Sequence, residues 1–284
     1  MKVRPIILCG GAGTRLWPNI NNHQAKQFID FGNWTLLDKT LQRIKGSIFD
    51  YPIISTNKIY LKQVKRHLKK NKIKNFHIVL EPIKKNTAPA ILTTTFIKQI
   101  PDMQPLLFLS SDHLIENVGL FNKSINKNKK NLTEDNIFIF GIKPTAPSSE
   151  FGYFLTKKKN KKSIDRVLRF IEKPNQVLAK KIIKKNGYWN SGIFFARKDS
   201  IFDKYGDLTM MAIGVYANRG LQDLRSVSAL IKKGKNCKTI DVSSKALSSS
   251  ADSTSYAPDI FVDTLLDKVN GVGNFIEPAN IDLD

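Results

Sequence analysis

Glycines at the end of an apolar run, with cations close behind them, are the first sign of chemistry in this chain. Residues 6–28 read IILCGGAGTRLWPNINNHQAKQF, and Gly10, Gly11 and Gly13 follow the apolar residues 3–8. Glycine backbone tolerates positive φ and lets N–H groups approach a ligand closely, as a phosphate or a nucleobase requires. Arg15 and Lys26 place fixed positive charge beside that cradle. Two better-known glycine motifs do not fit. A dinucleotide fingerprint needs a third glycine where Leu16 stands, and a P-loop needs Gly-Lys-Ser/Thr. Further along, SSDH puts Asp112 at the end of another apolar run. One carboxylate plus phosphate oxygens suits magnesium, while the competing role for an aspartate there is a helix N-cap. His113 follows it and is read as a supporting residue, since one histidine makes no metal site.

These residues need elements to hold them. Apolar spacing predicts a helix over 36–44, a strand over 51–56, a basic amphipathic helix over 58–70 and a strand over 76–80. A helix over 89–100, a strand over 106–109, a helix over 119–130 and a strand over 137–142 follow. Short strands alternating with helices predict a largely parallel α/β sheet covered on both faces, with ligands at the C-terminal strand ends. Three successive ends carry the glycine loop, NTAPA and SSDH. From 151 the pattern changes. FGYFLT and RVLRFIEKP read as strands around the lysine-rich hairpin 157–162, then a helix over 176–185 and the strand YWNSGIFFARK. Beyond 201 the periodicity thins into the serine-rich stretch 243–255, whose composition suits a loop.

Composition narrows the class. The chain has 284 residues, enough for one large or two small domains, and 41% hydrophobic content as in globular proteins. No apolar stretch spans a bilayer, so no membrane association is expected, and Cys9 and Cys237 form no disulfide framework, which points to a reducing cytoplasm. The net charge of +22 raises nucleic-acid binding. Its lysines, however, are scattered and not interleaved with aromatics that would stack bases, so no nucleic acid is expected.

GGxGTRLWP, KQF, NTAPA, SSDH, FGYF and FIEKP stand in one order that resembles the sugar-phosphate nucleotidyltransferases. Trp-Pro after Arg-Leu is similar to their mannose-1-phosphate guanylyltransferase branch. The resemblance implies a Rossmann-like, mostly parallel central sheet with helices on both faces, of the nucleotide-diphospho-sugar transferase type. It covers residues 1–200, with a nucleotide part over about 1–145 and a sugar part over about 146–200, and leaves 201–284 as a divergent segment. The implied reaction joins GTP and mannose 1-phosphate into GDP-mannose and pyrophosphate, with Mg2+ as cofactor; a homo-oligomer is compatible with it. Arg15 would hold the triphosphate, Lys26 the α-phosphate and Lys173 the sugar phosphate. Leu8, Gly10, Gly11, Gly13, Thr14, Asn86, Thr87 and Ala88 would surround the nucleotide, Asn86 and Thr87 reading the base edge. Gly152, Glu172 and Asn190 would meet the sugar, and Asp112 would ligate the metal. A plainer role for NTAPA is to start a helix, with Thr87 as N-cap and Pro89 just inside.

The sequence also departs from that pattern. Ala25 stands where the family has proline before the lysine, and the later Trp-Asn-Asp-Val-Gly stretch, source of the second metal aspartate, has no counterpart up to Asp284. An open sheet edge and weak turnover are therefore expected. Two readings stay beside the main one: a catalytically impaired nucleotide-binding remnant, and a nucleotidyltransferase for another sugar phosphate.

Overall fold

The computed structural model describes residues 1–11, 25–81, 87–95, 97, 99–157, 164–204, 273–276 and 281–282. Its first half alternates strand and helix: β1 (Arg4–Cys9), α1 (Leu36–Arg43), β2 (Ile53–Asn57), α2 (Leu61–Lys70), β3 (His77–Glu81), α3 (Thr87–Thr95) and β4 (Pro105–Ser110). Then come the short β5 (Leu114–Ile115), α4 (Val118–Asn128) and β6 (Ile137–Ile142). The second half contributes β7 (Tyr153–Lys157), β8 (Asp165–Ile171), α5 (Gln176–Lys184), β9 (Tyr188–Arg197), α6 (Lys198–Lys204), β10 (Gly273–Ile276) and β11 (Ile281–Asp282).

Nine strands form one sheet in the order β3-β2-β1-β4-β9-β6-β10-β8-β7, and all but β8 and β9 point the same way. The mostly parallel sheet expected from the alternation is present. Neighbouring residues on each central strand belong to different cores, as a period of two requires. Ile7, Ile54, Leu107 and Leu109 pack with Leu37 and Leu41 of α1, Val64 and Leu68 of α2, Phe121 of α4 and Ile182 of α5. Ile6, Ile53, Leu106 and Phe108 pack with Ile91 and Leu92 of α3 and Ile201 of α6. Helices therefore cover both faces.

β1 has β2 on one side and β4 on the other, both parallel to it. The chain moves outward through β2 and β3 and returns to the far side of β1 at β4. That reversal leaves a crevice between the C-terminal ends of β1 and β4, the place where open α/β sheets bind ligands.

The strands of the second half continue the crevice. β9 takes β6 along one edge, while its other edge holds β4 at Phe194–Arg197 and β7 at Tyr188–Trp189. Residues 190–193 lie in the gap between β4 and β7, so SSDH and FGYF flank the same stretch of β9. Where an open edge was expected, β10 lies between β6 and β8, and β11 pairs with β5 just after SSDH.

Local chemistry fixes the helix ends. α1 opens on a capping box: the Asp38 backbone N–H donates to Thr35 Oγ1 (3.1 Å) and the Thr35 N–H to Asp38 Oδ2 (3.0 Å). The helix expected from Pro89 begins two residues earlier, at Thr87, because proline is tolerated in a first turn; it also ends earlier, at Thr95. Asp38 is buried and accepts further bonds from Lys70 Nζ (2.7 Å) and Asn71 Nδ2 (2.5 Å) and pairs with His67 Nδ1 (2.8 Å). Burial opposes its ionised form, but the bonds from Lys70, His67 and Asn71 outweigh that and hold its pKa down to about 2. Its stabilisation is complete above the ordinary carboxylate range and drains away as the pH falls toward 2. Asp38→Asn should cost about 3 kcal/mol at pH 7 and flatten the acid limb of the melting temperature between pH 4 and about 2. An acid limb identical to wild type would contradict this.

Candidate nucleotide site at the β1–β4 crevice

Leu8 pairs with Ser110, and the Ser111 N–H still donates to the Leu8 carbonyl (3.3 Å), so the ladder ends just where Gly10 and Asp112 leave it side by side. The Ser110 hydroxyl donates to Asp112 Oδ1, which orients the carboxylate. Asp112 does not cap a helix. The following helix α4 is capped by Asn117, whose Oδ1 accepts the Leu120 N–H at 2.9 Å, and β5 comes between.

Lys26 opens a 3-10 turn, Lys26–Phe28, that is tied down twice. Gln27 Nε2 donates to the Gly11 carbonyl (3.0 Å), and the Phe28 ring lies between Tyr60 (centroids 5.5 Å) and His67 (5.8 Å). The Lys26 charge reaches His113. Burial drives the His113 pKa down to about 4 against the pull of Asp112, and the Arg43 and Lys26 charges push the same way as burial, so the imidazole is neutral at pH 7. Cys9, at the floor, is buried and its thiol is pushed up to about 12 by desolvation, which makes it a packing residue and not a nucleophile.

Glu81 is the residue that the motifs do not reveal. It ends β3, is 4% exposed, and accepts a hydrogen bond from Ser55 Oγ at 2.7 Å on Oε1. A Cβ placed on Gly10 would lie 3.1 Å from Glu81 Oε1 and 3.3 Å from Oε2, so the carboxylate lies directly against the glycine loop. Desolvation raises its pKa, with the Ser55 bond resisting. An acid buried at the tip of an apolar strand is the signal that could have found it.

The residues that the resemblance assigns to the sugar come next, at the other end of the gap. Trp189 is paired on both edges, with Ile142 and with Tyr153. The Asn190 N–H donates to the Gly152 carbonyl (2.8 Å), and Asn190 Oδ1 accepts the Gly192 N–H (3.0 Å). β8 ends at Ile171, opposite Tyr153, which brings Glu172 to Gly152, with Lys173 next along the chain. Gly152 was expected to let a sugar approach the backbone. The space on its Cβ side is filled by its own neighbours: a Cβ there would lie 2.6 Å from both Glu172 Oε2 and Phe170 Cζ. Lys173 holds φ at 40°, a conformation seldom adopted by side-chain-bearing residues, and Pro174 follows it. Such strain persists where the surroundings fix it and gathers at functional sites. Gly152→Ala should lower stability by about 1–3 kcal/mol and displace Glu172, raising the KM for a sugar phosphate more than that for the nucleotide. Unchanged melting and kinetics would contradict the packing.

Gly13, Thr14, Arg15 and Asn86 lie outside the described residues. Thr87 opens α3 and is exposed, and Ala88 follows in the same first turn. Among the described residues no cluster of three or more His, Cys, Asp or Glu could hold a metal. Magnesium asks for less: one or two carboxylates with phosphate oxygens and water, and Asp112, with one oxygen held by Ser110, offers that.

The profile of the nucleotidyl transferase family matches residues 4–232. The chain belongs to that family. It is 33% identical over 214 residues to a mannose-1-phosphate guanylyltransferase of Salmonella muenchen, covering 73% of this chain and 45% of that protein. It is 36% identical over 202 residues to a protein of the same name from Escherichia coli, covering 67% and 43%. The chain thus spans less than half the length of these curated relatives. A solved structure from Thermus thermophilus, described as a mannose-1-phosphate geranyltransferase, superimposes with a TM-score of 0.69 at 20% identity over 99% of this chain and 76% of that one, which shows a shared fold. The nucleotidyl transferase fold expected from the motifs is the fold found. Among the described residues no helix is long and apolar enough to cross a membrane.

Proposed function

We propose that the chain transfers a guanylyl group from GTP to mannose 1-phosphate, giving GDP-mannose and pyrophosphate. The observation that carries the choice of base is the Glu81 carboxylate against Gly10. Guanine presents two adjacent donors, N1–H and the exocyclic amine, and a carboxylate presents two acceptors. The names of the curated relatives support the choice of sugar.

In this reading a phosphate oxygen of mannose 1-phosphate attacks the α-phosphorus of GTP in line. The bond from that phosphorus to the bridging oxygen breaks, and pyrophosphate leaves. Two polyanions must be held together, so positioning and positive charge do the catalysis. Gly10 and Gly11 let the triphosphate approach the backbone, together with Gly13 and Thr14. Arg15 grips the triphosphate and Lys26 lies at the α-phosphate. Thr87, Ala88 and Asn86 line the base with Leu8. Lys173 takes the sugar phosphate, and Glu172 and Asn190 Nδ2 take sugar hydroxyls. Asp112 is the residue that would hold magnesium, which when bound supplies charge neutralisation to the phosphates.

The test is a panel of GTP, ATP, UTP and dTTP against mannose 1-phosphate and glucose 1-phosphate with Mg2+, followed by phosphorus NMR. GDP-mannose and pyrophosphate should dominate. Preference for another pair would replace the assignment, and GTP binding without any turnover would reduce the chain to a nucleotide-binding remnant.

A further inference from the structure

Arg43 is the last residue of α1 and among the largest fully buried side chains of the protein, at 2% exposure. Its Nη2 donates to the His113 carbonyl at 2.6 Å and to Thr40 Oγ1 at 3.3 Å. Its guanidinium carbon lies 5.9 Å from the centre of the Phe121 ring of α4. Nε and Nη1 find no hydrogen-bond partner among the described residues, and no carboxylate there forms an ion pair with it. Burial lowers its pKa only to about 10, so the charge persists at neutral pH.

A charge buried without a counter-ion is costly, and a methionine would fill the same slot between α1 and α4 at lower expense. Nor is Arg43 an accident of composition, because the basic residues of this chain are overwhelmingly lysine. What sets this arginine apart is its partner. It grips a main-chain carbonyl of the turn that follows β4, one residue after Asp112. Among the described residues that turn is also held by the Ser111 N–H on the Leu8 carbonyl, and within it the Ser110 hydroxyl donates to Asp112. The two N–H directions of Nη2, fixed in the guanidinium plane, reach the turn and its own helix at once, which a lysine ammonium on a flexible stem does poorly.

We propose that Arg43 is a positioning residue: through the His113 carbonyl it fixes the turn that presents Asp112 to the magnesium–nucleotide. This rests on the reading of Asp112 given above. Neither Arg43 nor Thr40 touches the nucleotide; the effect is transmitted through the backbone of residues 111–113. Groups that orient a metal-binding residue commonly change metal affinity by about 10- to 100-fold when removed.

The test uses the full chain with GTP and reads Mn2+ binding by electron paramagnetic resonance, amide exchange over residues 110–115, melting temperature, and kcat with KM. Arg43→Met should weaken Mn2+ binding about tenfold or more, speed exchange at residues 111–113 ahead of the rest of the sheet, and lower kcat with little change in the KM for GTP. Arg43→Lys, which keeps the charge but not the planar guanidinium, should fall between. If Arg43→Met does not fold, Arg43→Lys decides. Wild-type Mn2+ affinity in the folded variants, with only a lowered melting temperature or uniformly faster exchange, would overturn the proposal. Asp112→Asn separates the two claims: if wild type binds no Mn2+ with GTP, or Asp112→Asn binds it equally well, the metal reading fails and not the bracing.

Discussion

Asp112→Ala should abolish pyrophosphate release from GTP and mannose 1-phosphate, by about a thousandfold or more, and leave the melting temperature within about a degree of wild type. The size follows from what the residue is asked to do. Two phosphate groups that repel each other must approach to bonding distance, and Asp112 is the acidic side chain that leaves the sheet beside Gly10. The small stability change follows from the local structure. Asp112 caps no helix, since Asn117 does that, and the bond it accepts from the Ser110 hydroxyl is a local one. Removing it empties no core and strands no buried partner. Excess magnesium should not rescue the variant. Loss of folding, or activity within tenfold of wild type, would contradict the role.

Glu81→Gln should reduce the preference for GTP over ATP by about 1–3 kcal/mol, or roughly 5- to 150-fold in kcat/KM. A carboxylate gives guanine two acceptors, whereas the amide offers one acceptor and one donor, a pattern closer to what adenine can match. The pH dependence has a definite sign. Burial raises the Glu81 pKa, so acidification protonates it sooner than an exposed glutamate and turns one acceptor into a donor. GTP affinity should therefore fall on the acid side in wild type, and that limb should be missing in Glu81→Gln. A structural role would give the opposite stability signature. Because the folded state disfavours the ionised carboxylate, the amide should keep or raise the melting temperature at pH 7–8 while its oxygen still accepts from Ser55. A clear loss of stability with unchanged base preference would remove Glu81 from the site.

The parts of this site that could be read from sequence are those written in local patterns. Glycines after an apolar run, SSDH after another, and the strand–helix alternation between them are enough to bring the ends of β1 and β4 together, because parallel strands put like ends on one edge. FGYF, EKP and YWN were legible as a set, and their meeting at Tyr153 follows from two pairings made on opposite edges of β7, with Trp189 and with Ile171. Glu81 and Arg43 were not legible. LQR at the end of α1 looks like an ordinary solvated cation favourable to the helix dipole, and only the packing of α4 and of the turn after β4 buries it. Glu81 reads as a polar strand terminus until β1 and β2 bring Gly10 and Ser55 against it from far along the chain. What packs against Gly152 was hidden for the same reason, since the residues that need its missing Cβ lie one strand away on β8 and just beyond it.

The most direct measurement is a crystal structure of the chain with GTP and magnesium. The account predicts triphosphate over Gly10 and Gly11, the metal on Asp112, and the guanine edge bonded to Glu81. Nucleotide bound elsewhere, or bound here with the guanine edge turned away from Glu81 and the metal away from Asp112, would contradict it.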